Sequence, residues 1–125
     1  MKMKEFLSSL STLAASADRV VLGEGSRLAF LSDLHLGDGS SGDDGQRNAP
    51  LLEAALGAWY EPHGFGLVLN GDVEELHKFP LGSIMKAHRG LYELFDRFAA
   101  RGALRKIVGN HDLALLVEAA VRLHD

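Results

Sequence analysis

Three short segments each end an apolar run on side chains that can bind a cation or move a proton. "LAFLSDLHLGD" leads into Asp33 and His35, "GLVLNGDVEEL" into Asn70 and Asp72, and "LRKIVGNHD" into Asn110, His111 and Asp112. The segments recur at nearly equal intervals along the chain. Asp33, His35, Asp72 and Asn110 make a mixed oxygen and nitrogen donor set. Such a set suits Mn²⁺, Fe or Zn²⁺ better than Ca²⁺ or Mg²⁺, which favour all-oxygen shells. A carboxylate from the middle segment, Asp72, is placed to bridge two cations. Two ions roughly 3.5–4 Å apart turn water into hydroxide near neutral pH and clamp both oxygens of an in-line displacement at phosphorus. His111, beside Asn110, is then close enough to donate a proton to a leaving group or to stabilise charge on phosphorus.

These residues need elements that bring them together. "RLAFLS", "FGLVLN" and "LRKIV" read as short strands, separated by stretches with helical periodicity. Leu52, Ala55, Leu56 and Trp59 fall at i, i+3, i+4, i+7 in a helix that opens near Asn48 or Ala49 and stops at Pro62 and Gly64. A third helix, capped by Ser83, carries Leu91, Leu94, Phe95 and Phe98 on one face and ends at Gly102. "LALLVEAAVRLHD" opens another, with Leu116, Ala119, Ala120 and Leu123 as its stripe. Strand and helix alternating at these lengths predict βαβ units and a parallel sheet. Ligands of open α/β sheets gather beyond the carboxyl ends of the strands, where all three segments deliver their polar residues. The strands are unbroken apolar runs at 28–31, 67–69 and 107–108, the pattern of strands covered on both faces. Crossovers of one hand, running in one direction, put their helices on a single face, so the other face calls for a further cover.

"SDLHLG", "NGDVEE" and "GNHD" resemble, in order and spacing, the motifs D-x-H, G-D-x-x-[DE] and G-N-H-[DE] of the calcineurin-like metallophosphoesterase superfamily, with bacterial members nearest. The resemblance covers about 28–112, two-thirds of the chain. It implies a dinuclear site, with Mn favoured over Fe or Zn, that hydrolyses a phosphomonoester, phosphodiester or pyrophosphate through a metal-bound hydroxide. Asp33 and His35 would bind one metal, Asp72 would bridge, and Asn110 would bind the second. His111 would be the catalytic histidine, with Asp112 orienting it and Glu75 supporting. The family continues into a lone His and a G-H-x-H segment, which do not follow Asp112 here. The resemblance therefore implies an N-terminal half of the family's α/β/β/α sandwich. Residues 1–25 would form an amphipathic helix and linker, and 26–125 an incomplete phosphoesterase domain whose partner is the missing half or a second copy.

Composition narrows the field. With 125 residues, 46% hydrophobic and 24% charged, the chain reads as one ordinary globular domain. A net charge of -4 supplies no basic stripe for nucleic acid. The absence of cysteine excludes disulfides and thiolate metal sites and fits a reducing, cytoplasmic setting. Phe6, Leu10, Leu13, Ala14 and Ala17 fall at helical spacing, so the N-terminus reads as an amphipathic helix rather than a cleaved leader. No run approaches the roughly 18 apolar residues of a membrane span.

Taken singly, Asp33 and Asp72 equally suit turns or caps, and His35 a surface imidazole. Their conjunction with "GNHD" is what points to a metal site. His77 reads as a loop residue able to line a substrate cleft, His88 as a half-exposed helix residue, 37–48 as a solvated loop, and Trp59 as helix packing. A haloacid-dehalogenase-type site fares badly because position 35 is His where a second carboxylate is required. The competing expectation is a non-catalytic fragment that associates through its uncovered sheet face.

Overall fold

The computed structural model of the chain describes residues 2–115. The helix expected at Leu116, Ala119, Ala120 and Leu123 lies outside the described residues. Strands β1 (Leu28–Leu31), β2 (Gly66–Asn70) and β3 (Leu104–Ile107) form a parallel sheet in the order β1-β2-β3. Helix α1 (Met3–Ser16) precedes it, α2 (Ala49–Ala55) crosses from β1 to β2, and α3 (Leu81–Ala87) with α4 (Arg89–Ala100) cross from β2 to β3. The mixed α/β architecture with parallel βαβ units is thus the one the alternation of periods called for.

The core lies on one face of the sheet. Leu67 and Leu69 of β2 are fully buried against Leu56, Leu91 and Phe98 from the crossover helices. The alternate residues point the other way, and Phe30 and Ile107 are 64% and 52% exposed. Together with Val68, Val20 and Leu22 they line an open groove of about 570 Å³. Among the described residues the strands are therefore covered on one face only. None of the residues of α1 is buried, so its apolar stripe is likewise unpartnered.

Two helices differ from their sequence periodicity. The second passes at Leu56–Tyr60 into a π-helical turn, in which the Glu61 N–H donates to the Leu56 carbonyl at 2.9 Å. The wider turn rotates Trp59 out of the apolar stripe. Trp59 is 56% exposed, and its ring stacks on His63 with centroids 3.9 Å apart. The third helix is two: Pro80 rather than Ser83 stands at its start, and the chain breaks at His88 (φ -116°, ψ 39°) before α4 begins.

That break explains the loop 37–48, which is not simply solvated. His88 is buried, and its Nε2 lies 2.7 Å from Asp43 Oδ2. Asp43, also buried, accepts the backbone N–H groups of Gly37, Gly39 and Gly45 at 2.8–2.9 Å. A Cβ at Gly37 would lie 2.7 Å from the Phe79 ring, so only glycine lets the loop close here.

Candidate functional site

The carboxyl end of the sheet gathers the three polar segments through backbone bonding. Beyond β1 and β2 the chains continue side by side. The N–H groups of Asp33, His35 and Leu36 donate to the carbonyls of Gly71, Asp72 and Val73 at 3.2, 3.1 and 2.9 Å, and Glu75 N–H returns to Leu36. The third segment, a 3₁₀ turn at Asn110–Asp112, joins them: His111 N–H donates to Asp72 Oδ1 at 2.9 Å, and Leu76 N–H donates to the His111 carbonyl at 3.0 Å. Gly109 makes the approach possible, since a Cβ there would overlap the Asp72 carboxylate.

Asp33, His35 and Asp72 each hold a positive φ (54°, 45° and 52°), and among the described residues no other non-glycine does. This left-handed backbone costs on the order of 1 kcal/mol or more per residue and persists only where surrounding contacts impose it. Its effect is convergence. Asp33, His35 and Asp72 each offer a ligand atom within 4.8 Å of the others. Asp33 Oδ1 lies 3.7 Å from His35 Nε2 and is exposed, whereas the described lysine and arginine ion pairs all form elsewhere. Two carboxylates brought together without a neighbouring Lys or Arg repel unless a cation joins them. The Asn110 amide lies against Asp72. With NH₂ inward it donates to Oδ1 and Oδ2 at 3.2 and 3.0 Å; with oxygen inward, three oxygens converge as a cation would require.

Glu75 holds the histidines. Its Oε2 lies 2.9 Å from His35 Nδ1 and its Oε1 2.8 Å from His111 Nδ1, while the two rings meet edge to face at 4.7 Å. Glu75 is buried, which alone would push its carboxyl up, but the bonds from His111 and His35 outweigh burial and hold it below its usual range. The bond to Glu75 in turn raises His111 above an ordinary histidine, against a smaller opposing effect of desolvation. With both Nδ1–H groups donating to the carboxylate, each Nε2 lies outside those bonds, a ligand when the ring is neutral and a donor when it is protonated. His35, Glu75 and His111 also fall within metal-binding reach of one another, but the hydrogen-bonding distances make Glu75 the support of the two rings.

Asp112, expected to orient His111, makes no hydrogen bond to it among the described residues. It is fully buried, its Oδ1 accepts the Gly109 N–H, and its Oδ2 has no partner among the described residues. Consecutive residues of a 3₁₀ turn point about 120° apart, so Asp112 faces inward while His111 faces the site. No protein-family model, curated protein or solved structure matches this chain. The donor set at the sheet's carboxyl end must therefore be judged on its own chemistry. The structure brings together Asp33, His35, Asp72, Asn110 and His111 but not Asp112, and it shows Glu75 joining the two histidines. The position of Glu75 in "GDVEE" hinted at that part; no sequence signal announced the three strained backbones.

Proposed function

We propose that the chain carries a metallophosphoesterase site of the calcineurin-like kind, acting on a phosphate ester or anhydride. The observation that carries this reading is the convergence of Asp33, His35 and Asp72, each on a left-handed backbone, at the carboxyl end of a parallel sheet. Asp33, His35 and Asp72 would hold one divalent ion, and Asp72 with Asn110 would offer donors to a second, Mn²⁺ fitting the mixed set with Fe or Zn²⁺ as alternatives. Such ions, when bound, supply an acidified water and neutralise charge on the phosphoryl oxygens. The chain's own residues do the rest. Glu75 holds Nδ1 of both histidines, and the upward shift of His111 favours its imidazolium form, whose Nε2–H can donate to a phosphoryl or leaving-group oxygen.

Calorimetric titration with Mn²⁺ or Zn²⁺, paired with turnover of an aryl phosphodiester, tests the proposal. Asp72→Asn should abolish turnover and weaken metal binding at least tenfold. A chain that binds no divalent metal and turns over no ester would refute it. The alternative, a non-catalytic unit that associates through its sheet, draws support from the exposed Phe30 and Ile107. It predicts association with no dependence on Asp72.

A further inference from the structure

We propose that His77 is a second phosphate-contacting imidazole, paired with His111, so that the site grips non-bridging phosphoryl oxygens with two neighbouring N–H donors. The inference rests on the phosphate-ester reading above and adds a residue to it. The His77 ring lies nearly parallel to that of His111, with centroids 4.9 Å apart and planes at 26°. This placement is imposed by the backbone: the neighbouring Leu76 N–H donates to the His111 carbonyl at 3.0 Å, tying the segment after β2 to the 3₁₀ turn. His111 spends its Nδ1 on buried Glu75, whereas His77 is exposed and its ring nitrogens hydrogen-bond to nothing else among the described residues. The stacked pair is thus open to solvent at His77 and anchored at His111.

Asp33, His35 and Asp72 converge on one another, and His77 stacks on His111 beside them. An anion seated against His111 would come within reach of the ring stacked on it. Phosphate, with several equivalent oxygens, can accept from both rings at once.

Imidazole resonances of His35, His77 and His111, followed by NMR while inorganic phosphate is added with and without Zn²⁺, test the proposal. His77 and His111 should shift together along one saturating curve. His77→Ala should weaken phosphate binding, read at His111, about tenfold, as expected for loss of one charge-assisted hydrogen bond. His77→Gln, which keeps a donor, should recover part of that loss, whereas a merely stacking ring would not be rescued by an amide. Phosphate that moves His111 but not His77, or that moves neither ring in either arm, overturns the inference. His35 reads metal separately: a His35 signal indifferent to Zn²⁺ counts against the metal site, while the zinc-free arm still decides His77.

Discussion

Asp33, His35 and Asp72 share a backbone conformation that side chains avoid, and the same residues present the metal-type donors. Asp33 is the clearest case for separating the two properties. Its side chain is 70% exposed and bonds to its surroundings only weakly, through Ser32 Oγ at 3.5 Å and His35 at 3.7 Å. Asp33→Gly should therefore relieve a φ of 54° and stabilise the fold by about 1 kcal/mol in urea unfolding, while weakening divalent-metal binding. A destabilised Asp33→Gly would show that the carboxylate has a structural task and that the strain is not kept for a ligand. The residue types of this site were legible in the sequence. The positive φ values were not, because even Asp and His, which are enriched in that region, adopt it at a small minority of positions that local sequence does not mark.

At the level of elements, the loop 37–48 and the break between α3 and α4 are one device. Its Gly, Ser and Asp content reads as solvated coil, yet Asp43 ties three backbone N–H groups of the loop to His88. Burial alone would raise the Asp43 carboxyl, but the bonds from His88 and from the Gly37 and Gly39 amides prevail and lower it. A carboxylate depressed in the folded state contributes stability above its unfolded pKa, about 3.9, and loses it as pH falls through the folded value. Asp43→Ala should accordingly cost roughly 3 kcal/mol at pH 7 and less at pH 3, below the unfolded pKa, measured by urea unfolding at both. An equal cost at both pH values would refute the ionic part of this account. The same scale holds Glu74, which accepts Tyr92 Oη at 2.7 Å and Lys106 Nζ at 2.7 and 3.0 Å, clamping the Asp72 loop between α4 and β3. Burial and then Glu74 push the Tyr92 hydroxyl upward, so it stays a donor.

For the whole molecule, the decisive feature is a sheet that, among the described residues, is clothed on one side. Phe30, Val68 and Ile107 form an apolar surface bordered by Arg105 and Asp18. Contiguous exposed apolar surface of this kind drives association or binds small apolar probes. The chain should therefore self-associate or bind a hydrophobic dye, and Phe30→Lys with Ile107→Lys should suppress both without altering metal binding. A monomer by sedimentation that ignores the dye would contradict this.

The sequence by itself determined the parallel α/β plan and the ends of the strands where chemistry collects, because apolar periodicity and strand-end placement are local properties. It also determined the donor types, since Asp33, His35, Asp72, Asn110 and His111 are simply there to be read. Only the tertiary structure decided who supports whom. Glu75 rather than Asp112 holds His111, His77 stacks on it, and Asp43 finds His88 across the loop. Those pairings join residues distant along the chain, and a side chain's direction there depends on turns whose geometry the packing imposes. Trp59 marks the same boundary: its spacing fits an α-helix, and one π turn sets it in solvent.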